Sequence, residues 1–198
     1  MREEVLHLAQ ESLKVTERFF QENADAIVEI ARLIGATFRQ GNKILIFGNG
    51  GSAADAQHIA AEFVNRFLFD RAPLPAIALT TDTSILTSIS NDADFSLIFT
   101  RQIEALGCRG DIAWGISTSG KSPNVIEGFC KAKEMGMVTL AFTGKDGGET
   151  LRVADYGLNV NSIRTPRIQE THIIVGHIIC ELVERELFPS GGGSETGI

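Results

Sequence analysis

The chain has 198 residues, 43% hydrophobic and 22% charged, with a formal net charge of −7. That length and composition fit one domain with a full core. The acidic balance argues against a nucleic-acid surface as the main activity, because such a surface needs a basic stripe to neutralise phosphates. One small phosphorylated ligand stays admissible, since backbone N–H groups and hydroxyls can hold a phosphate without net charge. Cys108, Cys130 and Cys180 are odd in number, far apart and without a CxxC pair. They read as reduced thiols acting as small buried hydrophobes. The N-terminal MREEVLHLAQESLK lacks the apolar centre of a signal peptide, and no apolar run is long enough to span a bilayer. A cytoplasmic protein without a membrane partner is expected.

Residues 3–40 predict helix. Val5, Leu8, Leu13, Ile27, Ile30, Leu33 and Ile34 recur at steps near three and four, and Gly41 closes the run. Asn23 can cap a second start, so the segment is one bent helix or two. It packs on the core, or else forms a helix–helix subunit interface. Beyond Gly41 the strand candidates are Lys43–Gly48, Ala76–Thr80, Asp111–Ser117, Met137–Thr143 and Tyr156–Val160. Helices are expected over 52–68, 96–106, 122–135 and 166–187. Strands alternating with helices predict an α/β fold, a parallel sheet covered on both faces, and the continuous run ILIF agrees. The expected organisation is a single domain over 1–188, with N-terminal helices over 1–40 and an α/β core over 43–188. The Gly/Ser-rich tail over 189–198 is expected to be flexible.

In such a sheet the ligand sits beyond the carboxyl ends of the strands, so the loops after strands one and three matter most. The first, Gly48-Asn49-Gly50-Gly51-Ser52, lets backbone approach a ligand closely and leads into a helix N-terminus that favours anions. Gly48, Gly50 and Ala53 satisfy the dinucleotide fingerprint, but the stretch about 20 residues on, where the ribose-holding acid should fall, is helical rather than a strand end. A tight turn without a ligand is the plain alternative. The second loop, Ser117-Thr118-Ser119-Gly120-Lys121-Ser122, surrounds a glycine with hydroxyls ahead of another helix, a pattern that can cradle a phosphate. Its plain alternative is a polar turn with a serine cap. Gly115–Ser122 also fits the P-loop string G-x-x-x-x-G-K-S. Against that, Gly115 falls inside the apolar strand, and no good second aspartate for magnesium presents itself, since Asp82 comes before the loop and not after it. An NTPase ranks third.

The helix after the first loop carries His58 and Glu62, four residues apart and therefore on one face. An imidazole and a carboxylate can ligate zinc or act as an acid–base couple near neutral pH; an exposed pair worth a few tenths of a kcal/mol is the bland alternative. The last helix carries Gln169, Glu170, His172 and His177. Gln169 and His177 lie roughly 12 Å apart along the axis with ~80° of rotation between them, so spacing leaves open whether they converge. His172 is turned away from His177 and reads as a packing or interface residue. His7 reads as structural.

The ordered set GNGGS at Gly48–Ser52, His58-x3-Glu62, Asn91-Asp92, STSG at Ser117–Gly120 with Ser122, TGKDGG at Thr143–Gly148, and Arg167-Ile168-Gln169-Glu170 with His177 resembles the phosphoheptose isomerases of the sugar-isomerase (SIS) domain superfamily. The resemblance covers nearly the whole chain, to about Phe188. It implies a flavodoxin-like three-layer α/β/α sandwich with a five-stranded parallel sheet, and a homotetramer with active sites at subunit interfaces. It implies conversion of D-sedoheptulose 7-phosphate to D-glycero-D-manno-heptose 7-phosphate for bacterial heptose and lipopolysaccharide biosynthesis. On the family pattern His58, Glu62, Gln169 and His177 match the ligands of one zinc ion per subunit. Asn49, Gly50, Gly51, Ser52, Glu62, Asn91, Asp92, Ser117, Thr118, Ser119, Ser122 and Gln169 match substrate contacts, and Glu62 with His177 matches the acid–base pair. Lys121 departs from the pattern, where many relatives carry a neutral residue such as Asn. The runner-up is a non-catalytic SIS-fold tetramer that binds a replication initiator or senses a sugar phosphate; such a protein has no chemical reason to keep the His58/Glu62/Gln169/His177 quartet.

Overall fold

A computed structural model describes residues 1–189. The tail expected to be flexible lies, apart from Pro189, outside the described residues. The order is α1 (Arg2–Arg39), β1 (Ile44–Gly48), α2 (Gly51–Val64), β2 (Ala76–Ala78), α3 (Thr83–Asp92), a 3-10 turn at Phe95–Leu97, α4 (Ile98–Leu106), β3 (Ile112–Ser117), α5 (Pro123–Glu134), β4 (Val138–Gly144), α6 (Gly148–Val153), β5 (Tyr156–Val160) and α7 (Thr165–Leu187). Among the described residues, no helix is long and apolar enough to cross a membrane.

The five strands form one parallel sheet in the order β2-β1-β3-β4-β5. This is the doubly wound order whose switch point falls between β1 and β3. The predicted strands are all present, with ends moved by one or two residues. Side chains alternate between two apolar layers, as the period of two requires. Ile44, Ile46, Ile112, Trp114, Ile116, Leu140 and Phe142 face α1, α2 and α7. Leu45, Phe47, Ala113 and Ala141 face the layer of α4 and α5.

Three helical expectations need correction. The N-terminal segment is one helix, because Asn23 sits inside it and donates to the Phe19 carbonyl at 2.8 Å instead of capping a new start. Helix α3 went unpredicted: its apolar stripe is only Ile85, Leu86 and Ile89, none of them fully buried, with Leu86 and Ile89 packed on the layer of α4 and α5, and its start is set by Asp82 accepting from the Ile85 amide at 2.9 Å. Helix α6 has six residues, too few for a periodic signal. The thiols also differ from expectation. Only Cys180 is buried, whereas Cys108 and Cys130 are exposed.

Candidate active site at the carboxyl edge of the sheet

The loops after β1 and β3 lie side by side across the switch point, joined by a reciprocal amide pair. Asn49 Nδ2 donates to Asn124 Oδ1, and Asn124 Nδ2 donates to Asn49 Oδ1, both at 2.9 Å. Nothing about Asn124 in the sequence pointed to this role, which depends on the first loop meeting the start of α5, 75 residues away. The Asn49 side chain, expected to contact substrate, is thus occupied by Asn124. Gly50 takes φ +57°, a conformation that favours glycine.

In the second loop, Ser122 stands at the N-cap of α5 but makes no capping bond. Its hydroxyl instead lies 2.9 Å from Ser117 Oγ, which is 3.4 Å from Ser119 Oγ. A serine that only capped a helix would accept from that helix's amides. Gathering three hydroxyls at the start of α5 is better suited to an anion. Gly120, at φ +65°, packs against the Gly147 backbone, where a Cβ would overlap the carbonyl. Thr118 is half-buried and Lys121 exposed. The Lys121 amide donates to Ser119 Oγ at 3.2 Å. Gly115 lies within β3, where a Cβ would strike Phe129, so it packs the strand and does not open a P-loop.

Helices α2 and α7 run side by side in the same direction. Gly51 at the start of α2 lies under the Gln169 amide, and Gly176 packs so closely on Ile59 that an added Cβ would come within 2.9 Å of Ile59 Cδ1. This brings His58 against His177, with their Nε2 atoms 2.9 Å apart, and His58 Nε2 is 3.2 Å from Glu62 Oε1. Ligand-capable atoms of His58, Glu62 and His177 all lie within 4.8 Å of one another. With zinc–ligand bonds of roughly 2.0–2.2 Å, the donors of one tetrahedral ion stand a little over 3 Å apart. The trio therefore fits such an ion with little adjustment. Burial, then the neighbouring His58 charge, lowers the His177 pKa, against an opposing pull from Glu62.

Asp55, one turn before His58, is the acidic residue that the motif set left out. It is half-buried, one carboxylate oxygen has no hydrogen-bond partner, and burial raises its pKa to about 6 against the pull of His58. Its position was visible in the sequence, but its desolvation was not. Ser52 is buried in the first turn of α2. Asn91 and Asp92 end α3 exposed, with Asn91 Nδ2 donating to Asp92 Oδ1 at 2.8 Å. The hydrogen bonds among the described residues do not tie them to the other expected site groups. A cavity of about 180 Å³ opens beside the glycine-rich loop, between Asn49, Gly50, Thr80, Leu86 and Phe99. Another of about 220 Å³ lies between α1 and the end of β5, near Lys14, Arg18 and Asn161, and holds no expected site residue.

The family model for the SIS domain matches residues 7–144. The chain is 54% identical over 187 residues to the phosphoheptose isomerase of Nitratidesulfovibrio vulgaris (strain DSM 19637 / Miyazaki F), covering 94% of this chain and 90% of that one. It is 55% identical over 184 residues to the phosphoheptose isomerase of Aquifex aeolicus (strain VF5), covering 93% and 96%. Among solved structures, phosphoheptose isomerase GmhA from Neisseria gonorrhoeae superposes with a TM-score of 0.87 at 43% identity, covering 92% of this chain and 98% of that one.

Proposed function

Because the chain belongs to the SIS-domain family and, within it, to the phosphoheptose isomerases, we propose that it converts D-sedoheptulose 7-phosphate to D-glycero-D-manno-heptose 7-phosphate. The observation that carries this reading is the convergence of His58, Glu62 and His177 from two helices that start or pass beside the ligand-cradling loops.

A ketose becomes an aldose when one proton moves from C1 to C2 and another from O1 to O2, through an enediolate. Glu62 takes the carbon-bound proton and returns it to the neighbouring carbon. His177 moves the oxygen-bound proton; its lowered pKa keeps a neutral imidazole available to accept one. The hydroxyls of Ser117, Thr118, Ser119 and Ser122 and the start of α5 hold the phosphate. Ser52 and the backbone of Asn49, Gly50 and Gly51 face the sugar chain, with Asn91 and Asp92 reaching its hydroxyls. His58, Glu62, Gln169 and His177 would hold one zinc ion per subunit, a nitrogen and oxygen donor set that suits a borderline metal. When bound, zinc would polarise the substrate oxygens. Glu62 then shares its carboxylate between holding metal and moving a proton.

The remaining parts of the reading are a homotetramer with active sites at its interfaces, a cytoplasmic location, and supply of heptose for lipopolysaccharide. Exposure of Val5, Leu6 and Leu13 on the first half of α1 supports the assembly.

Purified protein incubated with sedoheptulose 7-phosphate should yield an aldose phosphate, and Glu62→Gln should abolish that turnover while retaining the fold. Full activity in the variant would remove Glu62 from the mechanism. Absence of an aldose from the wild type would remove the isomerase reading itself, and turnover of ATP would revive the NTPase reading.

A further inference from the structure

The segment between α2 and β2 is held by an ion pair that the reaction does not use. Arg71 and Glu184 have side chains only 1% exposed and meet at 2.8 Å. Arg71 also donates to the carbonyls of Glu62 and Phe63 at 2.8 Å and of Ala72 at 3.1 Å. Glu184 accepts from the Phe67 amide at 3.0 Å and the Leu68 amide at 2.8 Å. Glu184 is two turns beyond His177 on nearly the same stripe of α7. Phe67, in the clamped segment, places its ring 5.6 Å from the His177 ring at an interplanar angle of 35°.

We propose that the Arg71–Glu184 pair is a positioning device for the acid–base centre: it fixes the last turn of α2 through the carbonyl of Glu62 and seats Phe67 on His177. Arg71 and Phe67 are then positioning residues of the isomerase. Two charges taken out of water are seldom repaid in stability, and an apolar pair of equal volume often serves a fold as well. An apolar pair cannot hold the terminal carbonyls of one helix, the amides of a loop and the carboxylate of a second helix in one register. Arginine can, because its fork presents several donors in fixed directions. The contacts join the two helices that carry the site, on the side of His58 and His177 away from the glycine-rich loop. There, Gln169 on Gly51 provides the other fixed point. Between these two points, α2 and α7 have little freedom to slide.

The inference rests on the roles proposed for Glu62 and His177. Arg71→Lys keeps the charge and loses the fork. In the folded variant, kcat for sedoheptulose 7-phosphate should fall at least about 10-fold, with KM within about twofold. Zinc affinity, read by competition with a chromophoric chelator, should weaken by a similar factor, the size seen when groups supporting metal ligands are removed. Phe67 is only partly buried, so Phe67→Leu should fold and lower kcat in the same direction, and Phe67→Tyr should restore it. A folded Arg71→Lys with wild-type kcat and zinc affinity overturns the proposal. Should that variant not fold, a Phe67→Leu protein indistinguishable from wild type overturns it instead. If the wild type lacks isomerase activity, the functional reading fails on its own, and the chelator competition still reads the clamp.

Discussion

His172 and His177 lie five residues apart on α7 and meet opposite surroundings. His172 is 1% exposed, and its Nε2 lies 2.9 Å from the Thr143 carbonyl, which fixes Nε2 as the donor. Nδ1 is buried without a partner. Burial drives its pKa down to about 4, against a smaller opposing effect of that hydrogen bond. The unfolded chain would protonate this group near pH 6.5, where the native state refuses the proton. The neutral ring therefore supports folding above about pH 6.5, and this support is lost as pH falls toward 4, by about 3 kcal/mol. His172→Gln stays uncharged at every pH and can still donate to Thr143. Its stability to denaturant should fall less than the wild type's between pH 7 and pH 4; equal losses would show that the ring is not held neutral. The expectation that His172 is a packing residue holds, and His177 is the one left at the site. His7, read as structural, is exposed.

The pairing of α2 with α7 depends on small residues where the helices approach. Gly51 is helical, so its lack of a side chain reflects space and not backbone freedom: a Cβ there would overlap the Gln169 amide. Gly51→Ala should leave the fold intact, since the residue is exposed in the first turn, while displacing Gln169. We expect turnover to fall at least about 10-fold and zinc retention to weaken, as for loss of a ligand's support. Unchanged turnover and zinc content would show that the Gln169 position is immaterial. The N-terminal end of α7 is held from its other side by α1. Ser12 Oγ donates to Glu170 at 2.6 Å, Arg167 donates to the Leu8 carbonyl at 2.8 Å, and Arg164 pairs with Glu11. The long first helix thus steadies the element that carries Gln169.

Helix α1 spans 38 residues, about 57 Å at 1.5 Å per residue. Its buried residues begin only at Phe19, while Val5 and Leu13 are 64% and 68% exposed. The proposed tetramer gives these side chains a place to be buried. Leu13→Glu should shift the mass measured by light scattering toward smaller species; an unchanged tetramer would place the interface elsewhere. The sequence alone determined the parallel sheet, its five strands and the two candidate ligand loops, because buried strands announce themselves as apolar runs and tight loops as glycine and hydroxyl clusters; that the loops flank the switch point followed from the strand order. It also put His58 and Glu62 on one face, since a four-residue step in a helix fixes that locally. Helix α3 escaped because three apolar residues, Ile85, Leu86 and Ile89, within ten make too short a pattern to stand out among serines and threonines. Spacing left open whether His177 meets His58, which the resemblance implied and the packing of α2 on α7 brings about; only the tertiary structure decided that Asn124 grips Asn49, that Asp55 is desolvated and that Arg71 reaches Glu184. Each of these joins or surrounds residues distant in the chain. Such meetings depend on how two helices and two loops pack on one sheet, which no spacing along the sequence encodes.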